Sequence, residues 1–309
     1  MSALALKGIS WVTVRQYRRT LWLVGAAAIV TLAVIGGLRI WDASQEPEFP
    51  MEWGSGYDLL RGAMQQLALG LPLLPLLVAV FVAGPLIARE FESGTYKLSL
   101  TQSVSPAAWL RAKLLTTTVV ALGTTLVLTA AYLIGWSRLS STWGFHWSDR
   151  GSYEATGTVL GSYVLLGIAV GALVGQLIRR TLVAMAVTGG TVGLVMWVLS
   201  VFRWDFLPVR TITGPAYENA STLVAPENGL LGEQGLIGVS GKRLAGWFCS
   251  PESAPGGSCR LDEPVTAQYL DYHPQSHFWP TQLIETGIVL ALAALAAYAA
   301  FRVLRARHP

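Results

Sequence analysis

The chain has 309 residues, of which 52% are hydrophobic and 13% charged, with a formal net charge of +4; soluble domains usually carry about 25% charge. Mean hydropathy is +0.48 and the pI is near 9.2. This composition excludes a disordered chain, a collagen-like repeat and a nucleic-acid-binding domain, and two cysteines are too few for a disulfide scaffold or a four-thiolate zinc site.

Residues 1–21 open the chain. Arg15, Arg18 and Arg19 share one helical face by their three- and four-residue spacing, while Ile9, Trp11 and Val12 add apolar surface. An amphipathic helix at the inner headgroups is the expectation, attracted to anionic lipid by about 1 kcal/mol per basic residue. Residues 22–38 form the first of six apolar runs long enough to cross a bilayer, which takes about 20 residues. Its basic leader is long and no Ala-x-Ala site follows, so it is read as a permanent span rather than a cleaved signal.

The second span, 67–88, contains Pro72, Pro75 and Pro85. Each removes a backbone donor and crowds the carbonyl four residues earlier, which predicts a bent or interrupted helix. Segment 89–113 follows. Gly94 suits the positive φ that ends a helix, residues 96–102 suit a short helix along the membrane surface, and Ser105-Pro106 is a strong helix start. The sequence therefore predicts helix, break, short cross-helix and capped helix, leading into a third span at 114–137.

The fourth span, 155–178, carries Gly167, Gly171 and Gly175 four apart on one face, where the absent side chains allow a neighbouring backbone to approach closely. Packing within the subunit and a seam between subunits are both open for this row. Gly189 and Gly193 repeat the device in the fifth span, 181–202. Residues 203–280 are the only sizeable soluble part, rich in Gly and Pro. Cys249 and Cys259 lie here ten positions apart, and a disulfide is expected if this side is oxidising. The sixth span, 281–301, holds one acid, Glu285, roughly 7 Å of helical rise beyond Pro280. That places it within reach of water or an interfacial Arg as a solvated boundary charge, with a gate or cation site as the functional alternative.

Lys and Arg at the span ends orient the chain. One side holds the N-terminal segment, 89–113, Arg179, Arg180, Arg302, Arg305 and Arg307, which is 13 of the 22 basic residues with only Glu90 and Glu92 as acids. The other side holds 9 basic and 15 acidic residues. The basic side is expected to be cytoplasmic with both termini on it, in the cell membrane. Trp22, Trp41, Trp136, Trp204 and Trp279 fall near span ends, where amphipathic rings favour the headgroup zone.

Catalytic readings are weak. Gly241-Lys242 has Leu at 236 where a phosphate loop needs Gly, and Arg at 243 where it needs Ser or Thr. His273 and His277 flank Pro274 with no third ligand evident, so neither a metal site nor a catalytic residue is expected.

The run Arg89-Glu90, Gly94-Thr95, Leu98, Leu100, Val104-Ser105 and Lys113 resembles the first cytoplasmic loop of ABC-2 type permeases, the membrane subunits of one class of ATP-binding cassette exporter. Ser103 stands where proline is common in that loop and Lys97 where a carboxylate is common. The resemblance implies an all-α membrane protein of six spans, with an N-terminal amphipathic helix, a cytoplasmic coupling helix between spans two and three, and a long extracellular loop between spans five and six. The corresponding divisions are 1–21, 22–202, 203–280 and 281–309. It also implies that Arg89, Glu90, Gly94, Thr95, Leu98 and Lys113 couple the chain to a separate ATPase subunit, which would carry ATP and Mg, while this chain has no cofactor and is not an enzyme. The expected partners are that ATPase, a second permease copy (identical or not) and lipid, with no nucleic acid. The expected function is export of a hydrophobic or amphipathic substrate; the alternative is a membrane enzyme or assembly factor acting through the extracellular loop.

Overall fold

A computed structural model describes residues 15, 18–45, 55–95, 105–140, 142, 144–215, 223–244 and 264–307. The chain forms two compact units, one of Met1–Arg203 with Gln282–Pro309 and one of Trp204–Thr281.

The first unit is helical: α1 (Arg18–Ser44), α2 (Gly56–Gly70), α3 (Leu74–Leu77), α4 (Gly84–Ser93), α5 (Pro106–Leu139), α6 (Ser152–Thr156), α7 (Val159–Leu177), α8 (Thr181–Phe202) and α9 (Phe278–Arg307). Six stretches are long and apolar enough to cross a membrane: Leu21–Ser44, Gly56–Ser93, Pro106–Leu139, Val159–Leu177, Thr181–Asp205 and Gln275–Arg307. Most outrun the apolar runs, because backbone hydrogen bonding continues the helix past the point where side chains turn polar.

The second span follows its prolines. A tight 3₁₀ turn, Leu71–Leu73, joins α2 to α3, with Pro72 and Pro75 each at the start of a new helical segment. A wide π-helical turn, Val78–Ala83, precedes α4, and the Gly84 N–H donates to the Ala79 carbonyl five residues back. An α-helical Pro85 ring would crowd the carbonyl of Phe81; widening the turn ahead of it relieves that clash.

The fourth span is the centre of the packing. Fifteen of the nineteen α7 residues are buried. A Cβ built on Gly167 would lie 3.1 Å from the Ala79 Cβ, on Gly171 2.5 Å from the Ala83 Cβ, and on Gly175 2.9 Å from the Ile87 Cβ. The glycine row thus meets a row of equal spacing on the second span, inside one subunit. On the fifth span a Cβ on Gly189 would meet Val80, and one on Gly193 would lie 3.4 Å from Leu76. The second span is held by α7 and α8 through small residues whose backbones come close. A separate apolar cluster of Ile35, Leu60, Met64, Tyr132, Leu139 and neighbours joins α1, α2 and α5.

The second unit corrects the expectation of an all-α chain. It contains a four-stranded antiparallel sheet of β1 (Arg210–Pro215), β2 (Leu230–Gly238), β3 (Arg243–Leu244) and β4 (Val265–His273), in the order β1-β4-β2-β3. β-branched and aromatic residues in β1 and β4 suit a pleated, half-buried surface, a signal that the surrounding Gly and Pro mask. Gly241 and Lys242 form the β2–β3 turn, where the Gly241 N–H donates to the Gly238 carbonyl at 2.9 Å. That is a hairpin turn, not a phosphate cradle. Arg243 stands over the Tyr269 ring at 4.4 Å and pairs with Asp271 at 2.7 Å, tying β3 to β4.

Candidate functional site

Two polar clusters mark opposite ends of the spans. At the basic end, α4 stops where predicted: Gly94 takes φ +71° and closes the helix. On the returning side the Ser105 hydroxyl accepts from the Ala108 N–H at 3.2 Å, with Pro106 opening α5. Local hydrogen bonding at each position makes these bounds readable from the sequence. The two arms are clasped to each other. Lys113 Nζ donates to Glu90 Oε1, Lys113 lies 5.0 Å from the Trp109 ring centroid, and Phe91 meets Trp109 edge-on at 6.4 Å. Lys113 is buried, so its ammonium depends on this carboxylate and ring for the solvation it has lost.

Of the six residues assigned to coupling, the structure brings Glu90 and Lys113 together and leaves Arg89 and Thr95 exposed at the end of α4. Leu98 and the expected cross-helix at 96–102 lie outside the described residues, as do Cys249, Cys259 and most of segment 1–21. Glu92 was not singled out in the sequence. Its carboxylate accepts from the Thr181 backbone N–H at 3.0 Å and from the Thr181 hydroxyl.

At the acidic end, Glu285 is fully buried, which overturns the reading of a solvated boundary charge. Arg203, the residue after α8, forks onto it: Nε donates to Oε2 at 2.9 Å and an η nitrogen to Oε1 at 3.1 Å. The other η nitrogen pairs with Glu154 Oε1 at 2.8 Å. The Tyr153 and Tyr163 hydroxyls donate to Glu285 at 3.1 and 2.7 Å, and the guanidinium stacks 3.9 Å from the Tyr153 ring centroid. Glu154 Oε2 accepts from the Gly151 N–H at 2.8 Å. The cluster carries two carboxylates against one guanidinium, and each carboxylate oxygen is hydrogen-bonded, the condition under which buried charge is tolerated. It fastens α6, α7, α8 and α9 together. Beside it, Gln282 donates to the Tyr153 carbonyl at 2.7 Å and accepts from the Val159 N–H at 3.2 Å, bridging the break between α6 and α7.

A further ion pair at the same end joins α1 to α5, from Arg138 to Asp42 at 3.0 Å. Arg203 and Glu154 lie one residue outside the apolar runs of the fifth and fourth spans and were not singled out in the sequence. An arginine one residue past an apolar helix and a lone acid inside another are the signal that could have joined them.

In the second unit, His273 and His277 stand with their Nδ1 atoms 3.1 Å apart. No group of three or more metal-ligating side chains occurs among the described residues. Burial, and then the neighbouring His277, pulls the His273 imidazole below its ordinary value of 6.5. The neutral ring is therefore the form folding favours, and the unfolded chain binds the extra proton first. The stability of this unit should be fully present above about pH 6.5 and should fall as pH drops below that value. Tryptophan-fluorescence unfolding of the protein between pH 7.5 and pH 5 checks this, with His273→Gln expected to flatten the profile; a slope unchanged by that substitution would count against it.

Six apolar helices tied by ion clusters at both ends define a multi-pass membrane protein. A family profile for ABC-2 membrane transporter related proteins matches residues 42–203, which is 162 of the 309 residues. The chain belongs to that family. No curated protein and no solved structure matches it. The matched stretch includes segment 89–113, the glycine row, Glu154 and Arg203, but stops short of Glu285.

Proposed function

We propose that the chain is the permease subunit of an ATP-driven exporter in the cell membrane, with both termini and segment 89–113 in the cytoplasm. Membrane components of this family generally pair with ATP-binding subunits, and segment 89–113 is the docking handle in this reading. The observation that carries it is the clasp of Glu90 and Lys113 with the Phe91–Trp109 contact, which makes the ends of α4 and α5 one firm base for whatever lies between them. ATP and Mg sit on the companion subunit, and this chain performs no bond chemistry. Two copies, each with an ATPase, would enclose a pathway between them by alternating exposure. A hydrophobic or amphipathic cargo fits spans whose charges are gathered at their ends.

The test is co-purification of a companion ATPase, followed by hydrolysis and transport assays in vesicles with Gly94→Val. Among the described residues, no heavy atom beyond its chain neighbours lies within 4 Å of a Cβ built on Gly94, so the substitution acts through the backbone. A β-branched residue at φ +71° costs roughly 1–2 kcal/mol, and the chain should leave α4 along another line. Stimulation of the ATPase is expected to be lost while the permease still assembles. Wild-type coupling in Gly94→Val overturns docking here, and turnover of a substrate by the chain alone favours a membrane enzyme or assembly factor acting through residues 203–280.

A further inference from the structure

The two polar clusters are joined by one helix. α8 begins at Thr181, which Glu92 of the second span holds, and ends at Phe202, one residue before Arg203. The helix start needs that hold: Arg180 precedes it and makes no side-chain cap, so N–H groups of the first turn lack a local acceptor. Glu92 supplies a carboxylate from another helix, at the end where the helix dipole favours negative charge. Between its ends α8 packs against α7 and, through Gly189, Gly193 and the contact of Gly84 with Met185, against the second span. Leu182, Leu194 and Trp197 on the same helix are exposed. Its polar links to other helices, among the described residues, lie at Thr181 and at Arg203.

We propose that Glu92 is a positioning residue that grips α8 and carries the movement of segment 89–113 along this helix to the cluster of Arg203, Glu154 and Glu285, which parts when the far side opens. This rests on the exporter reading. An α-helix resists compression, so displacement at Thr181 reaches Arg203 about 33 Å away at 1.5 Å per residue. The side-on fork of Arg203 on Glu285 is an arrangement that is either made or broken, with little between.

The experiment compares wild type, Glu92→Ala and Glu92→Gln in vesicles with the companion ATPase, reading cargo moved per ATP hydrolysed. Spin labels at Val201→Cys and Gly287→Cys, with Cys249 and Cys259 replaced by serine, report the distance across the cluster with and without a non-hydrolysable ATP analogue. Wild type should show a nucleotide-dependent distance change. Glu92→Ala should bind the ATPase, lose that change and move at least about fivefold less cargo per ATP. Glu92→Gln keeps an oxygen acceptor for the Thr181 donors and should retain most of the coupling, which a purely charge-based role would not predict. If Glu92→Ala fails to assemble, Thr181→Pro makes the same cut from the other side, since proline suits the first helical position yet removes both donors. Wild-type coupling in these variants, or an unchanged distance in nucleotide-bound wild type, overturns this inference alone. Absence of any companion ATPase overturns it together with the exporter reading.

Discussion

Replacing Arg203 by methionine should lower the unfolding free energy by about 3–5 kcal/mol, the cost typical of breaking a buried ion pair from one side. The substitution removes the only guanidinium within reach of Glu285 and Glu154 among the described residues, leaving two carboxylates enclosed with tyrosine hydroxyls and one backbone N–H as their donors. Both acids would then be enclosed without a charged partner among the described residues. A companion variant, Arg203→Met with Glu154→Gln and Glu285→Gln, removes the charges together and should recover more than half of the loss. Thermal unfolding of the detergent-solubilised protein, followed by circular dichroism, gives both values. An Arg203→Met midpoint equal to wild type would mean that the cluster is already open to water.

Gly171→Val is expected to be nearly as damaging, for a steric reason. A Cβ at this position would lie 2.5 Å from the Ala83 Cβ and 2.6 Å from the Ala83 carbonyl carbon. The obstruction is backbone, so no rotamer change can clear it, and α7 must separate from the second span. Overpacking of this kind costs typically 1–3 kcal/mol, and here the separation would extend along a row of close contacts. Alanine at Gly175 and Gly167 should follow in the order of their clearances, 2.9 and 3.1 Å. Gly123 on α5 is the control: among the described residues, no heavy atom outside its own stretch of helix lies within 4 Å of a Cβ there, and alanine should be neutral or gain up to about 1 kcal/mol of helix propensity. Equal midpoint shifts at Gly171 and Gly123 would refute the close-packing account.

What could be read from the sequence was what local chemistry dictates. Span positions follow from apolar length, the end of α4 from Gly94, the start of α5 from Ser105-Pro106, and the interruption of the second span from its prolines. The glycine row was legible as a spacing, because four residues bring side chains back to one helical face. Its partner was not, since Ala79, Ala83 and Ile87 look like any other apolar run. The same limit hid the cluster at the acidic end. Arg203 and Glu285 are 82 positions apart, and hydropathy sees two ordinary boundary charges. Glu154 sits in a helix of only five residues, too short for any periodicity to show its facing. Glu92 looked like a loop acid because its role is to complete another helix. The sheet went unread for a different reason: β2 itself carries three glycines, and the strands are separated by Gly- and Pro-rich stretches that dominate the composition of 203–280.

The wide turn at Val78–Ala83 has a geometric result of its own. Each residue of an α-helix advances about 100° around the axis, so accommodating one extra residue in a turn resets the angular phase of everything beyond it. The Gly56–Gly70 half of the second span can then direct Leu60 and Met64 towards α1 and α5, while the Gly84–Ser93 half directs Ile87 and Ala88 towards α7. One continuous rod serves two neighbourhoods because it is indexed differently above and below that turn, as a key is cut with two offset sets of teeth.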